Sequence, residues 1–209
     1  MSEQWEDKIY YASRRLREPL LRPVVRVFAL FRFTPEAVAY LGIFFVVLSI
    51  YFLKESLEVS LCFLAVALLM DLLDGSLARY SGIESDSGKF VDVLVDNVIF
   101  TLFVAGLVWA GFLSGLVATL YVYFMLLAKV LIVFKRNIIT GNRGDWLINP
   151  KVGAFPNVFV YLSYIIFAFQ VFFGFNYYDL IFSAFSLLLA LRAVLDYRFV
   201  KNFGSNKAV

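Results

Sequence analysis

The residues with the clearest chemical meaning in this chain are four aspartates in the stretch 71–96: Asp71, Asp74, Asp92 and Asp96. The first two are three residues apart and the last two are four apart, so each pair shares one face if its segment is helical. If the two segments are antiparallel neighbours joined near residue 84, the four carboxylates converge. Like charges this close cannot all ionise unaided, and oxygen ligands suit hard divalent cations such as Mg²⁺ or Mn²⁺. The spacing therefore indicates a carboxylate metal site with ligands for two ions, which is the common apparatus of phosphoryl transfer.

Small residues and one arginine accompany the aspartates: Gly75, Ala78, Arg79 and Gly88. Glycine and alanine leave room for a nucleotide or a diphosphate beside the carboxylates, and arginine is suited to phosphate. Candidate N-caps for the helix that follows are Ser85, Asp86 and Ser87. The alternatives are a protonated or salt-bridged helix interface and an ion pathway. A divalent cation channel or carrier would need the carboxylates, but it would have no use for the small residues or the arginine.

The elements that must position these residues are membrane helices. The chain is 62% hydrophobic and its mean hydropathy is +0.81, which is more apolar surface than a soluble domain of this size can bury. Six apolar segments are long enough to cross a bilayer as helices: about 37–53, 59–80, 89–110, 113–136, 155–174 and 178–198. We therefore predict an all-α, polytopic membrane protein with six transmembrane helices.

The chain contains a single cysteine, Cys62, and no histidine. This composition excludes an intramolecular disulfide, a Cys/His zinc site and histidine-based acid–base catalysis. Any chemistry must come from carboxylates, Lys, Arg, hydroxyl groups and bound ions.

Basic residues are concentrated in the N-terminal segment and at alternate ends of the predicted helices. With a cytoplasmic N-terminus, most of the 19 Lys and Arg residues fall on the cytoplasmic side, and the acidic hairpin opens to the cytoplasm. The membrane is the cell membrane if the organism is prokaryotic. Residues 1–33 are predicted to be a cytoplasmic segment with an amphipathic interfacial helix, and residues 34–209 to be a six-helix transmembrane catalytic domain. The predicted apolar face of the interfacial helix consists of Leu20, Leu21, Val24, Val25, Phe28 and Phe31.

The acidic hairpin resembles the signature of one enzyme family. It reads DLLDGSLAR, then eight further residues, then GKFVDVLVD, and it matches D-x2-D-G-x2-A-R-x8-G-x3-D-x3-D at every fixed position. This is similar to the signature of the CDP-alcohol phosphotransferases, also called CDP-alcohol phosphatidyltransferases. The six-span layout and the basic amphipathic N-terminus also resemble that family.

The resemblance implies an enzyme of phospholipid biosynthesis that transfers a phosphoalcohol from a CDP-linked donor to a hydroxyl acceptor and releases CMP. It implies that Asp71, Asp74 and Asp92 are ligands of two Mg²⁺ or Mn²⁺ ions. Asp96 would be a further ligand or the general base for the acceptor hydroxyl. The residues that would line the CDP site are Gly75, Ala78, Arg79 and Gly88. The implied partners are a CDP-linked lipid donor, a small polar acceptor, membrane lipids and a second copy in a homodimer, with no nucleic acid.

Two cations within the predicted spans, Lys129 and Arg192, are the candidate acceptor-binding residues. An ionisable residue inside a membrane helix is a functional hypothesis by default, and both cations could hold a phosphate on the acceptor. We therefore expect phosphatidyl transfer from CDP-diacylglycerol to a phosphorylated polyol such as glycerol phosphate or inositol phosphate. The alternatives for Arg192 are snorkelling and pairing with Asp196 one turn away. The alternative within the enzyme class is an aminoalcohol phosphotransferase, which joins a soluble CDP-alcohol to a diglyceride.

Overall fold

The computed structural model describes residues 18–83, 85–140, 154–174 and 176–205. Within these ranges the chain forms seven helices and no strand. Helix α1 covers residues 18–30, and six longer helices follow: α2 Pro35–Phe52, α3 Leu57–Ser81, α4 Asp86–Trp109, α5 Gly115–Thr140, α6 Ala154–Phe173 and α7 Tyr178–Ser205. Each of the six contains a segment long and apolar enough to cross a membrane. The predicted all-α, polytopic membrane fold is confirmed.

The ends of the first two long helices follow from local capping signals. The Thr34 hydroxyl accepts a hydrogen bond from the Ala37 amide at 3.2 Å, and the Ser56 hydroxyl accepts one from the Val59 amide at 3.3 Å. These bonds satisfy amides that have no partner inside the helix. Gly82 ends α3 with a φ of 66°, a left-handed conformation in which a Cβ would be strained. The predicted bounds of the first five long helices agree with the observed ones to within four residues, and α7 extends seven residues beyond the predicted end at 198.

The first of two packing units ends at Phe103 and contains α1, α2, α3 and the first part of α4. A buried hydrogen bond of 3.0 Å joins the Ser49 and Ser60 hydroxyls and connects α2 with α3. Gly42 of α2 faces α4 closely, since a Cβ at this position would lie 3.1 Å from the Ile99 side chain. The absence of a side chain at Gly42 therefore permits the close approach of α2 to α4.

Helix α1 has two apolar faces where the sequence predicts one. Leu21 and Val25 are buried against four residues of α2 and α3: Val38, Met70, Leu73 and Leu77. Leu20 and Val24 lie about 100° away around the helix and are 77% and 37% exposed. One face of α1 thus packs on the protein, and a second faces outward, where it can meet lipid. Residues 1–17 of the predicted N-terminal segment lie outside the described residues.

The second packing unit begins at Val104, within α4, and its centre is aromatic. The Tyr121 hydroxyl of α5 donates a hydrogen bond of 2.8 Å to the Phe159 carbonyl of α6. Around these two residues lie the rings of Phe182 and Phe185 of α7. The turn before α5 is joined to the start of α7, since the Ser114 amide donates to Asp179 Oδ1 at 2.7 Å. These contacts hold α5, α6 and α7 together.

Candidate metal and nucleotide site

Helices α3 and α4 bring together Asp71, Asp74 and Asp92. One carboxylate oxygen from each of the three residues lies within 4.8 Å of the others. Asp74 is buried, with an exposed fraction of 5%, and the other two aspartates are half-buried. Helical spacing accounts for the pair on α3, and the turn between the helices brings Asp92 to the same level. We call this group the acidic cluster.

Asp96 lies outside the acidic cluster in the described structure. It follows Asp92 by one turn of α4, which moves its side chain about 6 Å along the helix and about 40° around it. Its side chain is exposed, unlike those of the cluster. The part of Asp96 as a ligand or a base therefore stays a prediction, and its position differs from that of the three other aspartates.

The donor set of the acidic cluster fits a hard divalent cation. Three carboxylates in and beside apolar helices repel one another when ionised, so the ionised cluster requires positive charge. Its ligand atoms are all oxygens, and Mg²⁺, Mn²⁺ and Ca²⁺ prefer oxygen ligands. Zinc is more commonly bound by nitrogen and sulfur ligands. The cluster therefore has the composition and the spacing of an oxygen-ligand cation site.

Arg79 lies beside the cluster on α3 and has two hydrogen-bond partners. Its Nε donates to Glu18 Oε1 of α1 at 3.1 Å, and a terminal nitrogen donates to Ser76 Oγ at 3.2 Å. The other terminal nitrogen lies 3.3 Å from the position that a Cβ on Gly75 would occupy. Gly75 thus leaves space for the Arg79 guanidinium itself, which is a second reason for glycine besides room for a nucleotide.

The remaining two small residues of the motif lie next to the turn between α3 and α4. Gly88 follows the capping residue Ser85, whose hydroxyl accepts from the Gly88 amide at 3.0 Å. A Cβ on Gly88 would lie 3.2 Å from that hydroxyl, so glycine keeps the cap uncrowded. Ala78 is half-buried, and its carbonyl accepts from the Ile83 amide at 3.1 Å. Of the three predicted N-cap candidates, Ser85 makes the capping bond.

The contacts of Arg79 include two residues that the sequence reading did not select. Ser76 lies three positions before Arg79 in α3, so helical spacing alone could have identified it. Glu18 lies 61 positions away, and no local pattern relates the two residues. Only the packing of α1 on α3 brings Glu18 to the arginine.

The predicted acceptor residues belong to the second packing unit. Lys129 is half-buried on α5. Arg192 of α7 donates from Nε to Asp196 Oδ2 at 2.7 Å, which is the pairing considered as an alternative. Lys135 of α5 donates to the other oxygen of Asp196, also at 2.7 Å. The structure therefore joins Arg192 to Lys135 through one buried carboxylate, and acceptor binding by Lys129 and Arg192 stays a prediction.

Fold and site together define a polytopic helical membrane protein with a carboxylate cluster for a hard cation beside an arginine. Residues 32–195, most of the chain, match the CDP-alcohol phosphatidyltransferase family. The chain belongs to this family. The predicted family is therefore confirmed, and this family is one of phosphotransferases.

An uncharacterized protein of Aquifex aeolicus is 35% identical to this chain over 89 residues. The match covers 41% of this chain and 45% of the Aquifex protein, which is less than half of that relative's length. The name of this relative states no activity.

Proposed function

We propose that this protein transfers a phosphatidyl group from CDP-diacylglycerol to a hydroxyl of a phosphorylated polyol and releases CMP. The observation that carries the proposal is the acidic cluster of Asp71, Asp74 and Asp92, in a chain of the CDP-alcohol phosphatidyltransferase family. In the reaction the acceptor oxygen forms a bond to the phosphorus that carries the diacylglycerol, and the bond from that phosphorus to the CMP phosphate oxygen breaks.

The residues of the acidic cluster would hold Mg²⁺ or Mn²⁺, with two ions as the expected number. When bound, such an ion neutralises the negative charge of the donor diphosphate and of the departing CMP. Arg79 supplies a further positive charge for the diphosphate, and it would exchange its present partners Glu18 and Ser76 for phosphate oxygens. The small residues Gly75, Ala78 and Gly88 leave room for the donor beside these charges.

Asp96 is the proposed general base. It has no place in the acidic cluster, and its exposed side chain can meet an acceptor that enters from outside. It would accept the proton of the acceptor hydroxyl as that oxygen bonds to phosphorus. The chain has no histidine, so a carboxylate is the available group for this task.

Charge in the second packing unit favours a phosphorylated acceptor over a neutral diglyceride. Lys135 and Arg192 share the single carboxylate of Asp196, which leaves one positive charge in excess in that group. A neutral diglyceride would have no use for such a charge. We accordingly rank a CDP-diacylglycerol-dependent enzyme above an aminoalcohol phosphotransferase, and family membership favours either enzyme over a cation channel.

The orientation of the active site toward the cytoplasm and the homodimer are proposals that rest on the charge distribution and on the family resemblance. A test of orientation is the reactivity of a cysteine introduced at exposed Ser87, five residues before Asp92 on α4, with a membrane-impermeant reagent in sealed inside-out vesicles. We expect labelling in inside-out vesicles and protection in intact cells. Cys62, the natural cysteine, is replaced by alanine in this experiment.

The experiment that tests the function supplies CDP-diacylglycerol and Mn²⁺ or Mg²⁺ to the purified protein with a panel of acceptors. The panel pairs glycerol phosphate with glycerol, inositol phosphate with inositol, and adds serine. We expect CMP and a lipid product with a phosphorylated polyol and neither with its neutral partner. A parallel arm with CDP-choline and a diglyceride would, if active, replace the proposal with the aminoalcohol alternative.

A further inference from the structure

The first described residue of α1, Glu18, forms an ion pair with Arg79 of α3. Glu18 Oε1 lies 3.1 Å from Arg79 Nε, and the two side chains are 44% and 21% exposed, respectively. Both residues belong to the first packing unit, which ends at Phe103. A helix outside the acidic hairpin therefore supplies an anion to the arginine that is proposed to bind the donor diphosphate.

The two hydrogen bonds of Arg79 occupy one edge of its guanidinium group. Nε donates to Glu18, and the terminal nitrogen Nη2 donates to the Ser76 hydroxyl at 3.2 Å. A guanidinium holds a phosphate through two neighbouring N–H groups, and Nε with Nη2 forms one such edge. The other edge includes Nη1, which lies against α3, 3.3 Å from the position of a Cβ on Gly75. The edge that does not include Nη1 is therefore already bonded to a carboxylate.

The position of Glu18 follows from the packing of α1. Glu18, Leu21 and Val25 are three and four residues apart, so they share one face of the helix. Leu21 and Val25 are buried, with exposed fractions of 8% and 3%, in a cluster that includes Leu77 of α3. The packed face of α1 thus carries Glu18 to Arg79, and apolar contacts hold it there together with the ion pair.

The contact between Glu18 and Arg79 is suited to reversal. Arg79 also interacts electrostatically with Asp74 and Asp92 of the acidic cluster, so its charge acts within the proposed donor site. Ion pairs that are partly exposed contribute little to stability. Because two anions cannot bond the same guanidinium edge, a phosphate that takes this edge must displace Glu18. A diphosphate carries more negative charge than one carboxylate and can make that exchange.

We infer that Glu18 takes the place of a donor phosphate in the empty enzyme, and that α1 restrains Arg79 until a CDP-linked donor displaces the carboxylate. The inference deepens the proposed function and rests on its CDP-linked donor, but it does not depend on the acceptor. Glu18 is a positioning residue that acts on the donor through Arg79, and its effect is to lower the affinity for the donor. The opposite role, in which Glu18 orients Arg79 for the phosphate, would raise that affinity.

The first experiment measures the binding of CDP, which carries the nucleotide and the diphosphate of the donor without its lipid. The purified full chain in detergent is titrated with CDP in the presence of Mn²⁺. Glu18→Gln should lower the Kd by about 2- to 5-fold, the range for a partly exposed ion pair. Glu18→Asp keeps the charge and should have a Kd closer to that of the natural protein. The control is Glu55→Gln, the same substitution at an exposed glutamate between α2 and α3, which should leave the Kd unchanged.

The same titration with Arg79→Gln separates a direct bond from a general effect of charge. Removal of a negative charge near the site favours any anionic ligand, and that general effect would persist without Arg79. An effect that passes through Arg79 should be absent in the Arg79→Gln background, because coupled residues are not additive. Equal tightening in the two backgrounds would overturn the inference.

Two further results of the titration have different meanings for the inference and for the proposed function. An unchanged or higher Kd for Glu18→Gln, with normal CDP binding by the natural protein, would overturn the inference alone. If neither the natural protein nor Glu18→Gln binds CDP, the proposed donor is wrong and the inference is wrong with it.

The second experiment tests whether the packing of α1 restrains Arg79. Leu21→Ala weakens the packed face of α1, and the matched control is Leu20→Ala, the same substitution at a side chain that is 77% exposed. Leu21→Ala should lower the Kd for CDP by no more than Glu18→Gln does, and it should add nothing in the Glu18→Gln background. Leu20→Ala should leave the Kd unchanged. This comparison uses no Arg79 variant, so it also decides the question if Arg79→Gln binds CDP too weakly to titrate. Equal effects of the two leucine variants, or weaker binding by Leu21→Ala, would overturn the inference.

Discussion

The acidic cluster and a second group, the basic triad of Lys135, Asp196 and Arg192, both contain aspartate but carry an excess of opposite charge. In the acidic cluster, Asp71, Asp74 and Asp92 place three carboxylates within 4.8 Å, and the nearby Arg79 bonds Glu18. In the basic triad, one carboxylate lies between two cations at 2.7 Å from each. The first group therefore has negative charge in excess and the second has positive charge in excess.

This difference indicates which kind of ligand each group can take. A carboxylate that already bonds two cations is stabilised by the protein itself, whereas carboxylates that face one another are stabilised by an added cation. The acidic cluster is thus suited to divalent ions and the basic triad to an anion such as phosphate.

The largest expected effect comes from breaking the acidic cluster. Asp71→Asn or Asp92→Asn should abolish CMP release, because an amide is a poor ligand for a hard cation and removes one of three negative charges. The measurement is CMP release from CDP-diacylglycerol under saturating Mn²⁺. Asp179→Asn is the control, and near-normal turnover in the cluster variants would remove the cluster from the mechanism.

The next largest effect is expected at Asp96, which lies near the cluster along α4 but outside it. Asp96→Asn should lower kcat by about 10²–10⁴-fold, the usual contribution of a general base, with little change in the donor KM. Kinetics with varied donor and varied acceptor separate the two parameters. A normal kcat would indicate that another group accepts the proton. A large rise in the donor KM would indicate that Asp96 is a metal ligand instead.

Stability should change in opposite directions when one carboxylate is neutralised in each group. In the presence of EDTA, Asp74→Asn should raise the Tm, because it removes repulsion among three buried or half-buried carboxylates. Asp196→Asn should destabilise the protein by about 1–3 kcal/mol, less than for a fully buried pair because the two cations are partly exposed. Thermal unfolding in the same detergent measures both, and equal signs for the two changes would contradict the comparison.

The smallest effects are expected around Arg79. Gly75→Ala should raise the donor KM, since the added methyl group would lie 3.3 Å from the guanidinium, while alanine in place of a helical glycine adds up to about 1 kcal/mol of stability. An unchanged donor KM together with the higher Tm would indicate that Gly75 has no part in donor binding. Ser76→Ala, which removes one Arg79 contact without adding volume, is the matched comparison.

The sequence predicted the local features of the molecule, but it did not predict the contacts between distant segments. Apolar runs and capping residues such as Thr34 and Ser56 specify helices locally, so all six predicted spans were found within a few residues. The approach of Asp71 to Asp92 could also be predicted from the sequence, because one short turn joins the helices that carry them. The acidic cluster is therefore largely a consequence of helical periodicity.

No sequence pattern of this kind predicted the contacts between distant segments. Arg79 bonds Glu18, and Lys135 bonds Asp196, each across 61 positions of sequence. The division of α1 into a packed face and an outward face likewise depends on which side meets α2 and α3. Hydrophobic periodicity identifies an amphipathic helix, but the partner of each face is decided by tertiary packing.

The measurement that tests the central claim most directly is the metal dependence of CMP release by the natural protein and by Asp92→Asn. CDP-diacylglycerol and the preferred phosphorylated polyol are supplied, EDTA is added, and Mn²⁺ or Mg²⁺ is then titrated back. The account predicts that EDTA stops CMP release by the natural protein, that the divalent ion restores it together with the lipid product, and that Asp92→Asn stays inactive throughout. Undiminished turnover of the natural protein in EDTA would contradict it.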